Sequence, residues 1–167
     1  MKNVKPVNGL RNQMQKILNL LNKDEELLRL LHYEVNPLSK THKDIIGSEE
    51  YWDIVEKHLF FGEKDSDLTD EKLCRVYIYT GRGRQLFAKP YYKKQSFFIN
   101  IIVHETFIDE MRLEQIHDRI NYLLLHRQIN GLSKITFEGS DPYQAPRQFE
   151  TYLMTYSFLM NNKVCYD

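Results

Sequence analysis

The sequence predicts an α+β fold: an antiparallel or mixed four-stranded sheet with a long helix on one face, N-terminal helices and a projecting β-hairpin. Three observations lead to this prediction. Apolar residues recur at helical spacing before Cys74, they alternate with a period of two from Cys74 onward, and a long amphipathic stretch interrupts the alternating segments. The 167 residues fit one domain over 1–167, with about 1–22 as a helical extension and about 82–96 as a hairpin arm.

Three helices are expected before the first strand. Residues 8–22 carry apolar side chains on one helical face. The segment "NKDEELLRLLHY" gives a second helix, for which Asn22 is the expected cap, and "SEEYWDIVEKHLF" gives a third, for which Ser48 is the expected cap. The buried stripe of the third helix is expected to comprise Tyr51, Ile54, Val55, His58 and Leu59. An exposed loop, "GEKDSDLTD", should follow it.

Four segments show the alternation of β-strands. They are "CRVYIYT" (74–80), "SFFINIIVHE" (96–105), "KITFEG" (134–139) and "FETYLMTYSFLM" (149–160). The second segment is apolar on both faces, which is typical of a central strand covered on both sides. Between the second and third strands, residues 106–131 predict the long helix.

Local sequence patterns predict where the long helix begins and ends and where the arm begins. Thr106 and Asp109 form a capping-box pattern, and Gly131 is expected to end the helix. The connection from 82 to 96 is too long for a tight turn, which favours an extended or partly ordered hairpin arm. Within "GRGR", the two glycines are expected to permit a sharp bend at the start of that arm.

Charge is unevenly distributed along a chain whose formal net charge is zero. Residues 44–71 contain ten acids and two bases, a local net of −8, whereas residues 73–94 contain six bases and no acid. The candidate contact residues of the basic segment are Arg75, Arg82, Arg84, Lys89, Tyr91, Tyr92, Lys93 and Lys94. The candidate complementary acidic surface comprises Glu49, Glu50, Asp53, Glu56, Asp65 and Asp67.

No motif for catalysis, metal binding or a cofactor stands out in the sequence. "GRGR" lacks the spacing of a P-loop or a dinucleotide-binding turn, and His104-Glu105 lacks the second histidine of HExxH because residue 108 is Ile. Two cysteines, Cys74 and Cys165, cannot form a disulfide framework, and no signal peptide or membrane span is evident. We therefore expect no enzyme, metal, cofactor, small-molecule ligand or membrane partner, and synthesis in a cytoplasm.

The basic segment allows three interpretations. Its arginines and lysines, interleaved with tyrosines, suit contacts with phosphates and stacked bases. They equally suit a solvated hairpin, whose charges prevent pairing of exposed edges. In the third interpretation, the basic arm of one subunit meets the acidic surface of the next in a head-to-tail contact.

The order and character of several segments resemble the small neck and tail-completion proteins of tailed bacteriophages, especially the tail-terminator and head–tail joining group. The resemblance covers about residues 20–160. It rests on the segments "DEELLRLLHYEVNPLS", "VYIYTGRGR", "FFINIIVHETF", "MRLEQIHDRINYLLLHRQINGLSKITFEGSDPYQAP" and "FETYLMTYSFLM".

The resemblance implies a structural virion protein made in the host bacterial cytoplasm. Such a subunit would assemble into a ring, typically six-fold, next to neck, portal-side or tail-tube proteins, and DNA would pass through the lumen. The stretch from Arg82 to Lys94 would be the hairpin that reaches a neighbouring subunit or the channel. The alternative function is a small nucleic-acid-binding module that binds with the same basic residues together with Tyr91 and Tyr92.

Overall fold

The computed structural model describes residues 9–62, 68 and 72–161, with Lys89 and Pro90 described by their backbone alone. The described elements are α1 (Leu10–Asn22), α2 (Glu25–His32), α3 (Tyr51–His58), β1 (Leu59–Phe61), β2 (Cys74–Leu86), β3 (Lys89–His104), a 3₁₀ helix (Glu105–Glu110), α4 (Arg112–Leu124), β4 (Thr136–Pro142) and β5 (Phe149–Asn161). The expected loop at 62–70 falls almost entirely outside the described residues.

The sheet is mixed and has five described strands in the order β1-β2-β3-β5-β4. β1 runs parallel to β2, and the other neighbours are antiparallel. The predicted α+β class and the central position of β3 are therefore confirmed. The predicted number of four strands is wrong because β1 follows α3 without a break, so that Leu59 continues the helical pattern of apolar residues.

The two faces of the sheet differ in what covers them. The helix-covered face carries alternate side chains of the three long strands, including Val76, Ile78, Phe97, Ile99, Met154 and Tyr156, which pack with apolar residues of all four α-helices. The outer face carries the intervening residues, such as Tyr77 and Ile102, in a smaller cluster with Leu73 and Phe149. The alternation seen in the sequence thus correctly assigned residues to the two faces.

Two predicted helix caps are wrong. Asn22 is the last residue of α1, so it cannot also precede α2, and Asp24 caps α2 instead by accepting a hydrogen bond from the Leu27 amide (2.8 Å). Ser48 does not cap α3, because its hydroxyl donates to the Ile45 carbonyl (2.8 Å).

The long helix predicted over 106–131 is divided. Met111 adopts a left-handed conformation (φ 52°), which separates the 3₁₀ helix from α4. The His104 side chain accepts a hydrogen bond from the Thr106 amide (3.3 Å), so the expected capping box is absent. α4 ends at Leu124, before Gly131.

The hairpin between β2 and β3 is confirmed, but the expected long connection is not. The two strands pair as far as Leu86 and Lys89, which leaves only Phe87 and Ala88 in the turn. β5 also pairs with β3 as far as Tyr92. The segment predicted as an extended or partly ordered arm is therefore mostly paired strand, and only the part of the hairpin beyond Tyr92 extends past β5.

The glycines of "GRGR" allow close packing rather than a sharp bend. Neither Gly81 nor Gly83 has a positive φ angle. A Cβ atom at Gly81 would lie 2.7 Å from Phe98 Cε2, and one at Gly83 would lie 2.9 Å from Gln95 Oε1. The register of β2 against β3 shifts between Thr80 and Gly83, and Gly81 lies within this shift.

Gly81→Ala is expected to lower the free energy of unfolding by about 1–3 kcal/mol, because the added methyl group must displace the Phe98 ring. Urea unfolding of four proteins would measure this: wild type, Gly81→Ala, Phe98→Ala and the double variant. Most of the Gly81→Ala penalty should disappear when residue 98 is alanine. An equal penalty in both backgrounds would refute the steric explanation.

Candidate interaction surface

A groove of about 620 Å³ opens on the outer face of the sheet at the base of the hairpin. Its charged lining residues are Arg82, Arg84, Lys94 and Glu138, and the ring of Phe98 forms part of its wall. Because Arg84 lies directly opposite Lys94 in the β2–β3 register, both side chains reach the same face. The lining thus holds three cations and one carboxylate.

The local structure of the hairpin holds this groove in place. Gln95 is buried, and its Nε2 donates hydrogen bonds to the carbonyl oxygens of Gly81 (2.8 Å) and Ser96 (2.9 Å). These bonds tie the bulge of β2 to β3. A bulge changes the direction of the side chains that follow it, and Arg82 and Arg84 follow this one.

The carboxylate of Glu138 neutralises one of the three cations. Lys94 Nζ lies 2.8 Å from Glu138 Oε1, to which Ser157 Oγ also donates a hydrogen bond (2.6 Å). The hydrogen bond from Lys94, followed by that from Ser157, lowers the pKa of Glu138. Among the described residues, neither Arg82 nor Arg84 has an ion-pair partner, and both are exposed. Two exposed guanidinium groups are therefore available to a partner.

The other predicted basic-segment residues do not all join this groove. Lys93 precedes Lys94 in β3 and therefore faces the opposite side of the sheet. Tyr91 is exposed and Tyr92 is half-buried, whereas the side chain of Lys89 lies outside the described residues.

Arg75 was predicted as a contact residue, but the structure buries it. Its side chain is only 6% exposed, and its guanidinium lies over the Phe60 ring (5.1 Å to the centroid). Its Nη1 also donates a hydrogen bond to the Tyr77 hydroxyl (3.4 Å). Arg75 therefore packs within the outer-face cluster instead of facing a partner, because it lies at the opposite end of β2 from the hairpin.

The predicted acidic surface is only partly described. Glu49, Glu50, Asp53 and Glu56 are all exposed, in α3 or in the turn before it, whereas Asp65 and Asp67 lie outside the described residues. Trp52 lies beside Asp53 and one turn from Glu56, and its side chain is 61% exposed. We call Trp52, Asp53 and Glu56 the acidic helix face.

Two exposed aromatic residues close in sequence to these charges, Trp52 and Phe87, were not predicted as contact residues. Phe87 occupies the hairpin turn and is fully exposed. An apolar residue at an exposed turn indicates a contact site. The sequence did not show that Phe87 lies in a turn, because the position of the turn was not predicted. Large exposed aromatic side chains are typical anchors of protein interfaces.

The groove and the acidic helix face lie on different parts of the subunit. His58, at the end of α3, is hydrogen-bonded to the Cys74 carbonyl at the start of β2 (2.7 Å). Arg82 lies eight residues further along β2, which corresponds to about 26 Å. α3 packs on the helix-covered face through Ile54 and Val55, whereas the groove opens on the outer face, so the sheet lies between them.

A metal site, a reactive thiol and a membrane span each have requirements with which the described residues can be compared. Within residues 9–62, 68 and 72–161, no cluster of three or more His, Cys, Asp or Glu side chains could hold a metal ion. Cys74 is buried, and burial raises the pKa of its thiol to about 12, so it is protonated at neutral pH. In the same part of the chain, no helix is both long and apolar enough to cross a membrane.

Comparison with known proteins places the chain in a family. Residues 24–158 match the YomW family, and this range includes the groove and the acidic helix face. A relative from Bacillus subtilis (strain 168), the SPbeta prophage-derived uncharacterized protein YomW, is 36% identical over an alignment that covers 71% of this chain and 77% of the relative. The chain therefore belongs to the YomW family and is a phage-related protein.

Proposed function

We propose that this chain is a structural protein of a tailed bacteriophage particle. It would assemble into a ring, six-fold by resemblance, in the neck or at the head-proximal end of the tail, as a tail terminator or head–tail joining protein. One observation carries the proposal: exposed cations and exposed acids lie at separate places on one subunit, each beside an exposed aromatic side chain. The prophage-derived relative is consistent with this setting.

Separated complementary surfaces favour contact between copies. A surface that cannot pair with its own subunit can pair with the complementary surface of the next, and repetition of this head-to-tail contact closes into a ring when the rotation allows. In this arrangement Arg82 and Arg84 of one copy face Asp53 and Glu56 of its neighbour. DNA would pass through the lumen, and neck, portal-side or tail-tube proteins would bind the rims.

Charge alone would give such a contact little affinity. Exposed ion pairs contribute about 0–1 kcal/mol each, so they mainly select the partner and its orientation. Burial of large aromatic side chains supplies most of the affinity in interfaces. We therefore assign the anchoring role to Phe87 at the hairpin tip and Trp52 on the acidic helix face.

Charge reversal tests the proposal. The double variant Arg82→Glu/Arg84→Glu should weaken self-association by more than about tenfold, because it places acids against acids. The double variant Asp53→Lys/Glu56→Lys should do the same, and mixing the two variants should restore assembly. Sedimentation velocity at low salt would measure each state. Lys40→Glu/Lys43→Glu, an equal charge change at exposed positions before α3, is the matched control.

Two outcomes would contradict a ring built on these surfaces. One is a wild-type chain that stays monomeric at high concentration and low salt. The other is an assembly that both charge reversals leave unchanged, since the contact would then lie elsewhere. Phe87→Ser and Trp52→Ser should each weaken assembly without a change in net charge.

The groove also supports the alternative function, a nucleic-acid-binding module. Arg82 and Arg84 lie beside the Phe98 ring, and cations next to an aromatic ring suit a phosphate backbone with stacked bases. This alternative predicts binding to DNA at ~50 mM salt that weakens steeply as salt rises. If Arg82→Glu/Arg84→Glu abolished DNA binding but left self-association intact, the module would be preferred to the ring.

A further inference from the structure

A cleft of about 490 Å³ lies between the loop that follows α2 and the start of α4. Its lining residues are Asn36, Pro37, Leu38, Ser39, Glu110 and Gln115. Buried Arg112 joins the two sides, because its guanidinium donates to the carbonyl oxygen of Glu34 (3.0 Å) and to Glu110 Oε2 (2.6 Å). The cleft shares no lining residue with the groove at the hairpin.

Exposed apolar side chains border this cleft on both sides. Leu38 lines it, and the other three lie within two residues of a lining residue in the chain. Each of the four is between 37% and 64% exposed: Val35, Leu38, Ile108 and Met111. Large apolar side chains that lie together at a surface mark interaction sites, whereas single ones need no explanation. We call this site the apolar cleft.

The two segments that form the apolar cleft carry a net negative charge. Residues 34–40 and 108–115 contain four acids (Glu34, Asp109, Glu110 and Glu114) and two bases (Lys40 and Arg112), a net of −2. Glu110 pairs with the buried Arg112. The other three acids are exposed and have no ion-pair partner among the described residues. The apolar cleft therefore suits a basic partner that carries an apolar anchor.

The hairpin turn of a second copy has this chemistry. Residues 81–94 contain five bases and no acid. Phe87 lies in the turn and is fully exposed, and the part of the hairpin beyond Tyr92 extends past β5. The volume of the apolar cleft exceeds that of a phenylalanine side chain.

The turn and the apolar cleft lie at opposite ends of one subunit. The Leu73 carbonyl oxygen accepts a hydrogen bond from the His104 amide (3.1 Å), and the 3₁₀ helix that leads to the cleft follows His104 directly. Phe87 lies 13 residues along the hairpin strand from Cys74, which corresponds to about 43 Å. Since α3 also ends beside Cys74, a hairpin that approaches α3 of a neighbour also approaches the apolar cleft of that neighbour.

We infer that the apolar cleft of one subunit receives Phe87 from the hairpin turn of the next. The inference rests on the proposed function, since it names the place where the hairpin anchors on the neighbouring subunit. The ring of Phe87 packs against Leu38 and Met111, and the exposed acids around the cleft attract the basic strands of the hairpin. Each subunit offers one turn and one cleft, so the contact is heterologous and repeats from copy to copy.

Photocrosslinking locates the binding site of residue 87. p-Benzoylphenylalanine at position 87 replaces one aromatic side chain with another, and irradiation of the full chain at low salt should give covalent dimers. Mass spectrometry should place the crosslink within residues 34–40 or 108–115 of the second copy. A crosslink to another part of that copy, such as α3, would overturn the inference and leave the proposed ring standing.

Variants of the cleft measure its share of the contact. Val35→Ser/Leu38→Ser should weaken self-association at least about tenfold in sedimentation velocity. Addition of Phe87→Ser to this variant should weaken it little further, because both changes remove the same contact. Tyr143→Ser is the matched control and should change nothing, since Tyr143 is equally exposed but follows β4 at the opposite edge of the sheet from β1.

The outcomes separate this inference from the proposed function. If Phe87→Ser weakens self-association and Val35→Ser/Leu38→Ser does not, Phe87 binds elsewhere and only the inference is wrong. A wild-type chain that stays monomeric at high concentration and low salt would refute the ring and the inference together. The substituted side chains are all exposed, so each variant should unfold in urea at nearly the wild-type midpoint.

Discussion

Arg112→Ala is expected to lower the free energy of unfolding by about 3–5 kcal/mol. Arg112 is 1% exposed, at the first position of α4. Its guanidinium donates to the carbonyl oxygens of Leu30 (2.9 Å), Tyr33 (2.8 Å) and Glu34 (3.0 Å), and to Glu110 Oε2 (2.6 Å). Removal of the side chain leaves carbonyl groups at the end of α2 without donors and opens a cavity beside Phe107.

Thermal and urea unfolding measure this effect. For a chain of this size, each kcal/mol shifts Tm by about 2–4 °C, so a decrease of roughly 10 °C is expected. Arg112→Lys should lie between wild type and Arg112→Ala, because one ammonium group keeps the charge but cannot reach all four acceptors. Glu110→Ala, which removes a half-exposed partner, should cost far less. A loss below about 1 kcal/mol for Arg112→Ala would show that these hydrogen bonds do not stabilise the fold.

The second large effect is a loss of stability in acid that depends on His58. Burial is the main cause that lowers the pKa of His58 to about 4. The hydrogen bond to the Cys74 carbonyl acts in the opposite direction and raises this pKa. The positive charges of Lys57 and Arg75, together with His32, lower the pKa further. In the unfolded chain the same ring titrates near its ordinary value of 6.5. Between these two values the unfolded state binds the proton more readily than the folded state.

The sign and the range of the effect follow from this difference. The contribution of His58 to stability is complete above about pH 6.5 and is lost as the pH falls towards about 4, for a total of about 3 kcal/mol. Urea unfolding at a series of pH values, in buffers without phosphate, should show this loss in the wild type. In His58→Asn the loss should be smaller by about that amount, although carboxylates such as Glu25, whose pKa is lowered, still contribute. Parallel stability curves for the two proteins would contradict the prediction.

The strands and their faces were predictable because alternation is a local property of the chain. Val76, Ile78 and Phe97 face the helices as the period of two requires. The central position of β3 followed from apolar residues on both of its faces. Local patterns were less informative at element ends. β1 was missed, and the caps at Asn22 and Ser48 were misplaced, because several nearby residues satisfy the same local rule.

The candidate surfaces were only partly predictable. The sequence indicated that Arg82, Arg84 and Lys94 act together, and the register of β2 against β3 places them in one groove. The sequence also assigned Arg75 to this surface, although the structure buries it. Exposure could not be predicted there, because residues of one strand can differ completely in exposure. Phe87 and Trp52 were missed, since exposure of an aromatic side chain depends on what the rest of the fold leaves uncovered.

The sequence by itself determined the α+β class, the long hairpin and the segregation of charge. Only the tertiary structure placed Arg112 against the end of α2, left His58 Nε2 buried with no hydrogen-bond partner among the described residues, and set Arg82 about 26 Å along β2 from Cys74, where α3 ends. The physical reason is one of range. Periodicity and charge are properties of near neighbours in the chain, whereas Arg112 binds carbonyl groups 78–82 residues away, and such contacts exist only once distant segments pack together.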